Sequence, residues 1–120
     1  MTRQREIGEW VLRVFGPAFW NRTERALRVC EEAIEVGQAF GLNKEVLHKL
    51  VDYVFDRPVG TDGIELAQLQ VTTEAAAEFL GMDLERAVDA EFELLLHADT
   101  NRWQKAIDRK TDAGLCHTDN

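Results

Sequence analysis

Three glutamates stand within about one helical turn in the stretch RVCEEAIEVGQAFG, residues 28 to 41. In a helix, Glu32 and Glu35 project from the same side, and Glu31 flanks them four residues before Glu35. Like charges at this spacing repel by roughly 0.2–0.5 kcal/mol per pair. Carboxylate oxygens suit Mg²⁺ or Mn²⁺, and a bound cation would make their crowding favourable. The alternative is an ordinary acidic face in solvent.

A fourth candidate, Glu65, stands in the stretch GIELAQLQV near the beginning of a later helical segment. In a helix bundle, a carboxylate there could face Glu32 and Glu35 across the core, as in the multi-carboxylate metal sites of bundle proteins. The alternative is a local role, in which Glu65 interacts favourably with the N-terminus of its own helix. The residues alone leave both interpretations open.

The last helical segment turns basic in the stretch NRWQKAIDRK, residues 101 to 110. Lys105 and Arg109 are four residues apart and share a helix face, as do Arg102 and Lys105. Cations near a helix C-terminus ordinarily complement the helix dipole. In a strongly acidic chain, a basic face beside a cluster of carboxylates would also suit a polyphosphate.

Other site types find little support in the sequence. A di-iron carboxylate site needs Glu-x-x-His on two helices, and only Glu45 and His48 have that spacing, so they are interpreted as surface residues. The sequence contains no GxxxxGK[ST] phosphate loop, no GxGxxG fingerprint and no GxSxG elbow. Three tryptophans are expected to pack in a core or an interface, with stacking on a base as the alternative: Trp10, Trp20 and Trp103.

The elements that must position these residues all have helical patterns. Apolar spacing and end signals predict five helices: residues 4–15, a second helix capped by Asn21 or Thr23 and ended by Gly41, a third after Asn43, a fourth over 64–80, and a long final one over 83–110. On the third, five residues are expected to face inward: Val46, Leu47, Leu50, Val51 and Val54. The prediction is an all-α helical bundle.

Length and composition describe one globular domain over residues 1–120, with 111–120 as a loose tail. The net charge of −8 argues against nucleic acid as the main partner, because phosphate backbones attract basic proteins. No apolar run is long enough for a bilayer and no secretory signal is visible, so a cytoplasmic location without a membrane partner is expected. Cys30 is predicted to be a small buried core residue, and a disulfide framework is not expected.

The ordered motifs resemble a known family. The stretch RALRVCEEAIEVGQAFGL is similar to the first acidic helix of the MazG-like, all-α nucleoside triphosphate pyrophosphohydrolases, which carry ExxE followed by ExxD. Glu32-Ala-Ile-Glu35 matches ExxE, and ELAQ, residues 65–68, stands where ExxD is expected. The small phage and prophage members are more similar, through WVLRVFG, LVDYVFDRPVG and a following VT helix, so the resemblance covers most of residues 9–81. HADTNRWQK resembles the closing helix of the family.

The resemblance implies hydrolysis of a (d)NTP to (d)NMP and pyrophosphate with Mg²⁺ or Mn²⁺, two or more ions per site. It implies the following roles: Glu32, Glu35 and Glu65 as metal ligands, Glu31 binding a further ion or orienting water, a fourth ligand from Gln68, Asp62 or Asp89, pyrophosphate contacts from Lys105, Arg109 and Asn101, and base contacts from Trp10 or Phe15.

The resemblance also implies assembly as a homodimer or as a homotetramer made from two dimers. A purine deoxynucleotide such as dGTP is the expected substrate, and a phage-encoded protein would act in the host cytoplasm. Two alternatives stand beside this interpretation: a non-catalytic acidic helical module that binds a protein partner, and a dUTPase of the same fold.

Overall fold

The computed structural model describes residues 1–118, and over this range it is all-helical, as predicted. The elements are α1 Arg3–Phe15, a 3₁₀ turn Pro17–Phe19, α2 Arg22–Ala39, α3 Lys44–Phe55, α4 Asp62–Leu80, α5 Leu84–Leu96 and α6 Thr100–Asp112. Within the same range, no helix is both long and apolar enough to span a bilayer.

The helices belong to two compact units. The first unit contains Met1–Asn43 and the chain from Leu96 onward, and the second unit contains Lys44–Leu95. The expected single domain over residues 1–120 stays a prediction. Of the tail expected over 111–120, residues 119 and 120 lie outside the described part of the chain.

Local end signals fix most helix boundaries. The side chain of Asn21, not Thr23, caps α2 by accepting a hydrogen bond from the backbone N–H of Glu24 at 2.9 Å. Gly16 ends α1 with φ at +86°, and Gly81 ends α4 in the left-handed conformation with φ at +69°. These are positions at which only glycine avoids a steric cost.

The predicted long final helix is wrong, because the chain breaks into α5 and α6. Asp99 begins a new helix there, and its side chain accepts from the backbone N–H of Asn101 at 2.8 Å. An aspartate that accepts a hydrogen bond from a first-turn N–H stabilises the start of a helix. Inside a helix aspartate is unfavourable, because its short side chain hydrogen-bonds to nearby backbone groups in non-helical conformations. The helix then continues past the predicted end to Asp112, so the expected loose tail is partly helical.

The core of the first unit is aromatic and joins α1 to α6. Trp10 is 7% exposed and makes edge-to-face contacts with Phe15 and Trp103, with ring centroids 6.0 and 5.7 Å apart. Phe15 contacts Trp103 at 5.7 Å and Phe19 at 6.3 Å. The packing role predicted for Trp10 and Trp103 is therefore confirmed, whereas Trp20 is about half exposed.

The prediction that Cys30 is buried is wrong, since its side chain is exposed. The spacing of Ala26, Leu27, Cys30, Ala33 and Ile34 predicts an inward apolar stripe on α2. Ile34 is exposed as well, and the buried position on this helix is instead Glu24. The physical reason is that α2 turns Glu24 and Arg28 toward residues Leu115–His117 and Glu31 toward Lys110. Apolar spacing identified the wrong face of α2.

The second unit leaves its apolar side chains largely exposed. On α3 the predicted inward face is wrong for four residues, which are each about half exposed: Val46, Leu50, Val51 and Val54. On α4, Phe79 is 82% exposed, and the buried residue of this unit is Ala77. Periodicity marks an apolar face, but it does not say what covers that face.

Candidate functional site

The acidic residues of α2 form a cluster in the first unit. One carboxylate oxygen from each of Glu31, Glu32 and Glu35 lies within 4.8 Å of the others. Glu31 is half-buried, and the other two are exposed. The predicted helical spacing therefore brings the three side chains together on one side of α2.

A cleft of about 600 Å³ is lined by this cluster on one side and by residues of α6 on the other. The volume lies in the range of small-molecule sites, about 300–1,000 Å³. The acidic residues of α2 and the basic residues of α6, which were both predicted from their helical spacing, line this one cleft together with other residues of α6. The lining residues that carry charge or hydrogen-bonding groups are Glu31, Glu32 and Glu35 from α2, and Asp99, Asn101, Arg102, Lys105, Arg109 and Lys110 from the α6 side.

Two basic side chains already meet the acidic cluster. The ammonium Nζ of Lys110 lies 3.0 Å from Oε1 of Glu31, and Nη1 of Arg28 lies 3.5 Å from the same oxygen. These cations offset part of the repulsion among the three carboxylates. Sequence reasoning assigned Arg28 no role, although its spacing of three residues before Glu31 was a visible signal.

Arg28 also contacts the buried carboxylate of this region. Its Nε lies 3.4 Å from Oε1 of Glu24, which is 2% exposed. Oε2 of Glu24 accepts a hydrogen bond from the backbone N–H of His117 at 2.9 Å. A buried charge needs such partners, and Glu24 has one for each oxygen. Sequence reasoning missed Glu24 because its tail partner is distant in the chain.

Arg25 lies beside this pair on α2. Burial lowers the pKa of its guanidinium group, and nearby Arg28 acts in the same direction, while Glu24 opposes the shift. The guanidinium carbon lies 5.8 Å from the ring centroid of Trp20, a cation–π distance. Arg25 therefore packs against Trp20 and does not line the cleft.

The beginning of α6 places Asp99 and Asn101 at the cleft. Asp99 caps the helix, so its carboxylate takes the backbone N–H of Asn101 that a phosphate would otherwise use. The cations that can meet an anion here lie farther along α6, at Lys105 and Arg109. The phosphate contact predicted for Asn101 stays a prediction and would need its side-chain amide.

The remaining predicted metal ligands lie in the second unit. Glu65 is in the first turn of α4, and its carboxylate lies against Gly60, so close that a Cβ on Gly60 would collide with it. Oδ1 of Asp62 accepts from the backbone N–H of Gly63 at 2.7 Å. Gln68 lies on α4 and Asp89 on α5, both exposed. That any of these four residues binds a metal ion stays a prediction.

The predicted base-binding residues, Trp10 and Phe15, belong to the aromatic core that holds α6 against α1. Their neighbour Trp103 lines the cleft directly, with the guanidinium of Arg102 5.1 Å from its ring centroid. A base contact by Trp10 or Phe15 stays a prediction, and Trp103 is the aromatic residue that reaches the cleft.

The donor set of the acidic cluster fits a hard divalent cation. Its ligand atoms are carboxylate oxygens, the type that Mg²⁺ and Mn²⁺ prefer, and they lie within 4.8 Å of one another. Mg²⁺ is commonly held by one or two carboxylates together with substrate phosphates. Glu32 and Glu35 are the members exposed for such a role.

The comparisons with known proteins add no relative. The chain matches no protein-family model, no curated protein and no solved structure. The likeness to MazG-like pyrophosphohydrolases therefore rests on the motifs of the sequence, and membership of that family stays a hypothesis.

Proposed function

We propose that this protein hydrolyses nucleoside triphosphates to the monophosphate and pyrophosphate with the help of a divalent cation. The observation that carries the proposal is that the acidic cluster of α2 and the basic side chains of α6 line the same cleft. A triphosphate bound with a metal ion needs both: carboxylates for the ion and cations for the phosphates that the ion leaves uncompensated.

In the proposed reaction, the oxygen of a water molecule attacks the α-phosphorus, and the bond from this phosphorus to the oxygen bridging to the β-phosphorus breaks. Glu32 and Glu35 would hold the cation, and Glu31 would orient the water or bind a further ion. When bound, such a cation neutralises phosphate charge and lowers the pKa of a coordinated water. Lys105 and Arg109 stabilise the departing pyrophosphate by charge-assisted hydrogen bonds.

The resemblance adds the finer parts of the proposal. It supports Glu65 as a further ligand, two or more Mg²⁺ or Mn²⁺ ions per site, and a purine deoxynucleotide such as dGTP as substrate. A dUTPase of the same fold would use the same cleft and differ in the base that it accepts.

The proposal is tested by incubating the protein with the eight common NTPs and dNTPs plus dUTP, in Mg²⁺, Mn²⁺ or EDTA. We expect metal-dependent release of monophosphate and pyrophosphate, lost in Glu35→Gln. Glu9→Gln, which changes an exposed carboxylate of α1, is the matched control and should keep full activity. Turnover of dUTP alone would support the dUTPase, and no turnover of any nucleotide would refute the enzyme.

One observation favours the alternative of a non-catalytic acidic module. The pairing of Glu31 with Arg28 and Lys110 offsets part of the crowding of carboxylates without any metal. A ligand that binds only the native state raises the melting temperature by mass action. The enzyme therefore predicts stabilisation by Mg²⁺ with a nucleotide, and the interaction module predicts none.

We further propose that a second copy of the chain covers the apolar surface of the second unit. Helix α4 carries apolar residues around its whole circumference, a pattern typical of buried helices, yet these residues are exposed: Ile64, Leu66, Leu69, Val71, Phe79 and Leu80. In all, fifteen large apolar side chains of Lys44–Leu95 are exposed. At roughly 50 Å² each, they supply about 750 Å², close to the roughly 800 Å² per partner of a specific interface.

Sedimentation velocity at several protein concentrations tests this assembly. We expect at least twice the chain mass of 13.7 kDa. Phe79→Asp should shift the protein toward the monomer, because it places a charge in the proposed interface. Thr72→Asp, a polar exposed position on the same helix, tests whether any added charge on α4 has that effect. A wild-type monomer at high micromolar concentration would contradict the assembly.

A further inference from the structure

The C-terminal segment Leu115–His117 contacts α2 through its backbone. The carbonyl oxygen of Leu115 accepts a hydrogen bond from Arg28. The N–H of His117 donates to Glu24 at 2.9 Å, and the carbonyl oxygen of His117 accepts from the side-chain amide of Asn21 at 3.0 Å. Because backbone atoms make all three contacts, they depend on the path of the segment and not on its side chains.

The path of this segment is set where α6 ends. Gly114 has φ at +73°, and the N–H of Leu115 donates to the carbonyl oxygen of Lys110 at 2.7 Å. This is the pattern by which a left-handed glycine closes a helix and redirects the chain. The turn places the segment against the part of α2 that precedes the acidic cluster, where its partners are Asn21, Glu24 and Arg28.

Arg28 connects the segment to the acidic cluster. Its Nε lies 3.4 Å from Glu24, and its Nη1 lies 3.5 Å from Oε1 of Glu31. Glu24 is 2% exposed, and the Arg28 side chain is 20% exposed, so neither group can exchange these partners freely for water. The position of Arg28 beside Glu31 therefore depends on Glu24 and on the tail.

We propose that Leu115–His117 is a strap, and that Glu24 and Arg28 are positioning residues through which it orients Glu31. The part of this inference that concerns cation affinity rests on the function proposed above. With the strap in place, the Arg28 guanidinium is shared among Glu24, Leu115 and Glu31. Without it, Arg28 can move, and Glu31 keeps Lys110 but loses Arg28 as its second partner. Supporting partners of ligating carboxylates commonly change metal affinity by about 10–100-fold.

The test uses a matched pair of full-length variants. His117→Pro removes the backbone N–H that donates to Glu24, whereas His117→Ala keeps it and removes only the side chain. Two quantities are measured for each: the side-chain carboxyl ¹³C signal of Glu31 by NMR without metal, and the dissociation constant for Mn²⁺ by electron paramagnetic resonance. Far-UV circular dichroism verifies the helical fold.

We expect His117→Pro to move the Glu31 signal and to raise the Mn²⁺ dissociation constant by about 10–100-fold, while His117→Ala matches the wild type in both. Equal behaviour of the two variants in the Glu31 signal would overturn the strap. An unchanged Mn²⁺ affinity in both variants would overturn the part of the inference that concerns cation binding. Wild-type protein that binds no Mn²⁺ would refute the proposed function instead. The Glu31 signal then decides the strap alone: movement in the proline variant only supports it, and no movement overturns it.

Should His117→Pro disturb the fold, Arg28→Lys provides a second variant. Lysine keeps the positive charge, but it has one nitrogen in place of the three by which Arg28 contacts Glu24, Glu31 and Leu115. We expect the same shift of the Glu31 signal and the same direction of change in Mn²⁺ affinity. Wild-type values in Arg28→Lys would overturn the positioning role of Arg28.

Discussion

Two glutamate–arginine ion pairs of equal spacing differ in their burial and in the further partners of the glutamate. Glu24 and Arg28 on α2 are four residues apart, with Nε and Oε1 at 3.4 Å. Arg5 and Glu9 on α1 have the same spacing and lie at 3.6 Å. The side chains of Glu24 and Arg28 are 3% and 20% exposed, and those of Arg5 and Glu9 are 75% and 52% exposed. Both pairs join a glutamate and an arginine, but in opposite order along the helix, and their burial differs.

The expected costs follow from this difference. Glu9→Gln should cost no more than about 0.5 kcal/mol in the free energy of unfolding, the value of an exposed helix pair. Glu24→Gln weakens a charge-assisted hydrogen bond from His117, which contributes about 1.5–3 kcal/mol, and leaves a largely buried Arg28 with less compensation. Because Arg28 keeps Glu31 as a partner, we expect about 2–3 kcal/mol in total.

The assay is urea denaturation followed by circular dichroism, at one protein concentration for all variants because assembly makes stability concentration-dependent. At roughly 4 °C per kcal/mol for a chain of this size, Glu24→Gln should also melt about 10 °C below the wild type. A cost for Glu24→Gln within about 0.5 kcal/mol of that for Glu9→Gln would refute the reasoning, since neither burial nor the His117 hydrogen bond would then add to the stability that Glu24 supplies.

Three further predictions concern packing, a helix end and Glu65. Trp103→Ala should cost about 3 kcal/mol in urea denaturation, because its ring packs against Trp10 and holds α6; a cost under about 1 kcal/mol would contradict that role. Gly81→Ala should lower stability by about 1–2 kcal/mol, measured in the same way, because its φ of +69° disfavours a side chain, and an unchanged midpoint would contradict this. Gly60→Ala should cost little stability, since only the flexible end of Glu65 must move. If Glu65 is a ligand, this variant should weaken Mn²⁺ binding roughly tenfold, and unchanged affinity would speak against Glu65.

The helices could be predicted from the sequence because their signals are local. Apolar spacing predicted α1 to within one residue, and the cap by Asn21 and the end at Gly81 are each fixed by a few neighbouring residues. The break before α6 had a signal too, since Asp99 is a good N-cap. One helix over residues 83–110 was nevertheless predicted, because the helical pattern on both sides of Asp99 was given more weight than this N-cap signal.

What the sequence could not reveal depends on contacts between distant segments. The exposure of Cys30 follows from α2 turning Glu24 and Arg28 toward residues near His117, which no periodicity records. The acidic cluster and the basic face were identified because each is a local helical pattern. Their meeting at one cleft needed α6 to be held by aromatic packing, and the pairing of Lys110 with Glu31 follows from that packing.

The most direct test of the central claim is to find which phosphorus receives the water oxygen. The protein is incubated with dGTP and Mg²⁺ in ¹⁸O-labelled water, and the products are analysed by mass spectrometry. Attack at the α-phosphorus predicts one ¹⁸O atom in the monophosphate and none in the pyrophosphate. Label in pyrophosphate, or release of dGDP and inorganic phosphate, would contradict the proposed function. No turnover of any nucleotide in the panel would contradict it as well.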